Sequence, residues 1–182
     1  MEAAEDSLGR LIMPSMENET RGRVKERADR EAIKVFSRNL KDLLLAPPLG
    51  SEAVLAVDPG FRTGCKTVCL DDDGELEETA VLFPFGSQKQ QENAEKTLRR
   101  LLEEYSISYI AVGNGTAGRE TEDFLRERSF SEAAEIVSVN ESGASVYSAS
   151  QVAREEFPHL DLTFRGAVSI GRRLQDPLAE LV

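Results

Sequence analysis

Eleven residues, Val54-Leu55-Ala56-Val57-Asp58-Pro59-Gly60-Phe61-Arg62-Thr63-Gly64, restrict what this chain can fold into more than any other stretch. Four consecutive apolar residues, mostly β-favouring, describe a strand covered on both faces. Asp58 ends the run, and Pro59-Gly60 is turn chemistry that no strand continues through. A second apolar run, Cys65 to Leu70, begins directly after Gly64, so the turn joins two neighbouring strands. A carboxylate at the end of a central strand loses hydration, which is too costly for casual packing unless it is partnered. Such an acid holds a metal, a phosphate-bearing ligand through that metal, or a local turn.

The pattern predicts strands at 53–58, 65–70 and 76–84, with Asp71-Asp72-Asp73-Gly74 as the hairpin turn between the last two. These aspartates do not alternate as EF-hand ligands do and no Glu closes the loop, so a turn is expected, not a calcium site. An amphipathic helix over 87–105 presents Ala94, Leu98, Leu101, Leu102 and Tyr105 on one face. A buried fourth strand over 109–113 runs into Asn114-Gly115-Thr116-Ala117-Gly118, followed by a helix to about Arg128. A fifth strand over 135–139 ends at Asn140-Glu141-Ser142-Gly143. Two further helices are expected at 144–156 and 166–174, with Phe157-Pro158-His159 as the break.

Before the first strand, Val24, Ala28, Ala32, Phe36, Leu40 and Leu43 recur every three or four positions. They predict one stripe of a helix of about 23 residues, roughly 34 Å long. Ala46-Pro47-Pro48-Leu49-Gly50 stops it, and residues 1–21, interrupted by Pro14, are expected to be a frayed lead-in. The expected division is therefore a helical extension, 1–50, and one α/β domain, 51–182. A single long helix also suggests a piece of something larger, whose other parts would cover the stripe.

Three strands in a meander followed by two strand–helix repeats require a mixed sheet in the order 3-2-1-4-5, with helices on both faces. In such a sheet strands one, four and five are parallel neighbours, and ligands sit beyond their carboxyl ends. Those ends read Asp58, Gly113-Asn114 and Asn140-Glu141. Three turns rich in Gly, Asn and acid thus converge on one place.

Charge bears on the partner. The net charge is −11, but residues 21–50 hold eight basic and four acidic side chains. An acidic body disfavours tight, independent nucleic-acid binding, because phosphate contacts dominate that affinity. The basic helix reads first as a solvated face with interleaved acids. Cys65 and Cys69 lie on one strand face without reaching each other, which fits reduced thiols and a cytoplasmic protein. No run approaches the roughly 18 apolar residues of a membrane span, so no membrane partner is expected. His159 sits in a proline turn and receives no role.

Four long motifs, in order, carry a resemblance: Asp58 to Lys66, Gly113 to Thr121, Asn140 to Ser150 and Arg165 to Ala179. Together they resemble the YqgF-type, RNase H-like and Holliday-junction-resolvase-like domain of the Tex family of bacterial transcription accessory proteins. The resemblance spans about residues 10–182. It implies a cytoplasmic, nucleic-acid-associated protein working with the transcription machinery. The resemblance also implies that full-length relatives add helical, helix-hairpin-helix and S1 modules, with S1 the main RNA or DNA binder, none of which is expected in this chain. A eukaryotic transcription elongation factor is related.

RNase H-like nucleases hold two divalent ions between clustered carboxylates, and Mg²⁺ or Mn²⁺ suits such ligands. Carried over to this chain, Asp58, Glu141 and Asp176 are the catalytic and metal-ligating candidates. Arg62, Lys66, Arg119, Arg172 and Arg173 are the nucleic-acid-binding ones. Resolvases place a glutamate at the end of strand four, where this chain reads Gly113-Asn114; Glu120 lies six residues further on. Each acid also has a plainer reading: Asp58 as cap of its own turn, Glu141 as a first-turn helix residue, Asp176 as an N-cap before Pro177. The expected function is therefore a structural or binding domain of a Tex-like protein, with no cofactor assigned beyond a residual affinity for Mg²⁺ or Mn²⁺ at this site. The alternative is a metal-dependent nuclease using Asp58, Glu141 and Asp176. A sugar-kinase or actin-like ATPase reading fails for want of a second domain and a second phosphate loop.

Overall fold

The structure is a computed structural model that describes residues 2–45 and 47–178. The chain divides into two compact units, Met1–Ala46 and Pro47–Val182. Met1, Ala46 and Ala179 to Val182 lie outside the described residues, Ala179 being the last residue of the fourth motif, as do the side chains of Glu2 and Leu43.

The described residues of the first unit are helical from Glu2, which corrects the frayed lead-in. Helix α1 (Glu2–Ser7) leads through a π-helical turn (Leu8–Ile12) into α2 (Met13–Leu44). Pro14 is the second residue of α2, directly after the π turn, whose wider spacing accommodates a residue that lacks an amide. Val24 and Phe36 of the stripe are both exposed. Lys and Arg side chains pair along the helix with acids three or four residues away: Arg23 with Glu19, Lys25 with Asp29, Arg30 with Glu26, Lys34 with Glu31. Such exposed pairs contribute a few tenths of a kcal/mol each.

The second unit is built on a five-stranded sheet in the expected order, β3-β2-β1-β4-β5. Its strands are β1 (Val54–Asp58), β2 (Cys65–Leu70), β3 (Leu76–Leu82), β4 (Tyr109–Gly113) and β5 (Glu135–Val139). β1 is antiparallel to β2 and parallel to β4, and β4 is parallel to β5. The aspartate run is a turn: Asp71 Oδ1 accepts from the amides of Asp73 and Glu75.

Alternation on β1 separates two cores. Leu55 and Val57 face α3 (Gln88–Glu104) and α4 (Gly118–Glu127), where Leu98, Leu101, Leu125 and Phe130 close the layer. Val54 and Ala56 face the opposite side, under α7 (Leu162–Gln175), with Val68, Leu70, Ala167 and Ile170. The expected helix over 144–156 is two, α5 (Ala144–Ala149) and α6 (Gln151–Glu156). Ser150 divides them: its hydroxyl accepts from the Ala153 amide and starts a new helix. α7 begins four residues before expected, because Asp161 accepts from Thr163 N and caps it. Among the described residues no helix is long and apolar enough to cross a membrane.

α7 lies close on the sheet. A Cβ at Gly171 would fall 2.9 Å from the Ala56 Cβ and 2.6 Å from Leu70 Cδ1. Ala56 is fixed to the central strand and cannot yield. Overpacking such a contact costs about 1–3 kcal/mol, against a few tenths gained in helix propensity. Gly171→Val is expected to lower the unfolding free energy by about 2 kcal/mol, measured by urea denaturation.

Candidate functional site

The carboxyl ends of β1, β4 and β5 supply the site. Asp58 ends β1 on the α7 side of the sheet, directly opposite Lys66 of β2. Lys66 does not reach for it; its Nζ donates to the carbonyls of Thr63 (2.6 Å) and Gly64 (3.3 Å) and clamps the turn. Among the described residues no hydrogen bond reaches the Asp58 carboxylate, so the turn-cap reading fails. Gly166 of α7 covers Asp58 from the other side: a Cβ there would stand 3.4 Å from Oδ2.

Glu141 follows β5 and folds back over the end of β4. Gly113 and Gly115 make the room for it. A Cβ at Gly113 would lie 2.5 Å from Glu141 Oε2, and one at Gly115 only 1.7 Å from Oε1. Asn114 braces the crossing: its amide donates to Val139 O (2.9 Å) and its Oδ1 accepts from Glu141 N (3.3 Å). Arg173 of α7 secures the same loop by donating to the carbonyls of Asn140 (3.0 Å) and Ser142 (2.6 Å). Glu141 Oε2 is thereby buried without a hydrogen-bond partner. A buried carboxylate oxygen left in that state costs more than any surface pair returns, so the fold must otherwise over-determine it.

Desolvation and the neighbouring Glu141 charge push the Asp58 carboxyl up to about 6, and Lys66 offsets this only partly. A carboxyl raised by the charge of a second acid in this way is stabilised by a nearby cation.

Asp176 does not join them. It closes the far end of α7, about 15 Å along the helix from Gly166, and its Oδ1 accepts from Leu178 N. The neighbouring Gln175 bonds the carbonyls of Glu52 and Asp71, at the opposite end of the sheet from Asp58. Glu120 is exposed in the first turn of α4. Among the described residues no three His, Cys, Asp or Glu side chains come together as a metal site. The three-carboxylate set expected from the motifs is thus a pair.

The five basic candidates divide. Arg172 is half-buried and committed: it bonds Gly74 O, Tyr147 and Glu156 and lies over the Phe157 ring. Arg173 positions the Glu141 loop, and Lys66 holds its own turn. Arg62 and Arg119 are exposed and make no ion pair among the described residues. Sequence reasoning missed Asp161, the cap of α7 at the Asp58 end; its carboxyl is held low by the Thr163 hydrogen bonds. The legible signal was an Asp two residues before Thr163, after a proline break.

Residues 52–175 match the family described as the Tex protein YqgF-like domain. The chain belongs to that family. It is 51% identical to Protein tex of Bordetella pertussis over 94% of this chain and 22% of the relative. To the uncharacterized protein YdcI of Bacillus subtilis it is 50% identical, over all of this chain and 26% of the relative. The human S1 RNA-binding domain-containing protein 1 is 40% identical, over 97% of this chain and 18% of the relative. The chain therefore spans about a quarter or less of the length of these relatives. The structure of RuvC from Thermus thermophilus overlaps 70% of this chain and 97% of its own at 10% identity, with a TM-score of 0.47.

The site yields two expectations. A carboxyl raised in the folded state favours folding below its unfolded value near 4 and loses that advantage as pH rises through about 6. Asp58→Asn should therefore raise stability at pH 7.5 by about 1–2 kcal/mol, solvent screening having reduced the full linkage value. The gain should vanish below pH 4, as read by denaturation at each pH. Gly115→Ala should leave the fold intact, because the clash falls on the flexible end of Glu141. It should move the Asp58 titration downward by displacing that neighbour, which carboxyl-carbon NMR measures.

Proposed function

We propose that this domain is a nucleic-acid-associated binding module of a transcription accessory protein in the cytoplasm, and not a phosphodiesterase. The observation that carries this reading is the donor set at the strand ends. Two-ion hydrolysis needs ions about 3.5–4 Å apart, bridged by one carboxylate and flanked by more. Here Asp58 and Glu141 stand as a pair, and β4 contributes Asn114, whose Oδ1 is already taken by the Glu141 amide. The unpartnered Glu141 Oε2 beside Asp58 fits one Mg²⁺ or Mn²⁺. Such an ion would supply positive charge toward the phosphates of the strand. Asp58 and Glu141 would hold it, Asn114 and Arg173 would orient Glu141, and Arg62 and Arg119 would meet the backbone phosphates. The S1 RNA-binding name of a relative and the Tex kinship support the class of partner.

The acidic body makes the expected affinity low and almost entirely a matter of counterion release. The test is a pair of assays on this chain. No Mg²⁺- or Mn²⁺-dependent cleavage of single strands, duplexes or four-way junctions is expected. Cleavage that disappears in Asp58→Asn would establish the nuclease instead. Binding should fall steeply between about 50 and 200 mM salt, and Arg62→Gln should flatten the salt slope by about 1. Sub-micromolar, salt-resistant binding would refute the charge argument.

A further inference from the structure

The tip of the β1–β2 turn carries a feature that neither the carboxylates nor the turn requires. Phe61 exposes 49% of its surface between Gly60 and Arg62. Its ring lies against Phe85, centroids 5.1 Å apart and planes at 50°. The two rings have different surroundings: Phe85 packs against the α3 core cluster, whereas Phe61 sits outside it with one side in water. The turn itself is made by Pro59, Gly60 and Gly64 and clamped by Lys66, so a polar residue at 61 would serve the backbone equally well. Leaving half a phenylalanine in water forgoes burial that the core would have rewarded. A ring held on an anchored second ring at a clamped turn loses little freedom on meeting a ligand. Beside it stands Arg62, exposed and without an ion pair among the described residues. Three residues before Phe61 in the chain is Asp58, at the end of β1.

We infer that Phe61, seated on Phe85, is a stacking platform for an unpaired nucleobase, with Arg62 on the adjoining phosphate. The chemistry selects single-stranded nucleic acid. A base in a duplex already has both faces covered, whereas an unstacked base offers one to an exposed ring. Every base has such a face, so the contact is tolerant of sequence. This rests on the nucleic-acid reading above and narrows it to single strands entering at the β1–β2 turn.

The chain contains no tryptophan, so Phe61→Trp makes a unique fluorophore at the platform. Titrating it at low salt with oligothymidylate should quench its emission. An abasic deoxyribose-phosphate strand of equal length should bind more weakly and quench far less. Phe61→Ala should weaken oligothymidylate binding to the chain five- to one-hundred-fold by anisotropy, and leave duplex binding unchanged. Unchanged oligothymidylate binding in Phe61→Ala, or equal quenching by the abasic strand, would overturn the platform while leaving the nucleic-acid reading in place. Absence of any binding by the unsubstituted chain would overturn both.

Discussion

The close approach of α7 to β1 is the contact on which the rest of the α/β unit depends. Along this helix Gly166 meets Asp58, Ile170 reaches the end of β4, Gly171 rests on Ala56, and Gln175 ties down the opposite end of the sheet. Side chains at 166 and 171 would hold the helix off the strand. The result is a face sealed by backbone proximity as much as by hydrophobic bulk, which is why small residues sit where leucines would be expected. The same helix spans both ends of the sheet, and so decides which residues share a site and which cannot.

The carboxylate pair follows from that packing. Asp58 is desolvated because α7 lies over it, and Glu141 is confined because Arg173 and Asn114 secure its loop from two sides. The glycines of β4 and its following turn admit the Glu141 carboxylate but give it no donor. The outcome is a concentrated negative charge with one buried, unpartnered oxygen, held in place by surrounding bonds. Groups kept in an unfavourable electrostatic state by a rigid frame belong to sites more often than to scaffolding. On the function proposed above, the pair would hold one ion and the exposed Arg62 would meet a phosphate.

Arg172 and Arg173 show how neighbours in sequence take up different tasks. One joins α6, α7 and the Gly74 turn through Glu156 and Tyr147; the other aims the Glu141 loop. Neither contributes chiefly as a surface charge. In a body carrying a net charge of −11, such internally committed cations cannot offset the repulsion of phosphates. The remaining exposed cations near the site therefore matter more than their number suggests.

By itself, the sequence determined the strand set, the sheet order and which strand ends lie side by side. Those rest on local quantities: apolar runs such as Val54 to Val57, turn chemistry at Pro59-Gly60, and connection rules that leave few topologies. The convergence of Asp58 and Glu141 was legible for the same reason, since they lie at the ends of strands in one parallel set. Tertiary structure alone decided the rest. Asp176 shares a motif with the site yet lies a helix length away, because α7 runs the length of the sheet. Ser150 split one expected helix, because a hydroxyl that bonds forward starts a new one. Lys66, Asn114 and Arg173 became positioning residues through hydrogen bonds to distant carbonyls and amides, which no spacing announces. The raised Asp58 carboxyl is likewise a property of what lies over it, and burial by α7 and the nearness of Glu141 exist only once the chain is folded.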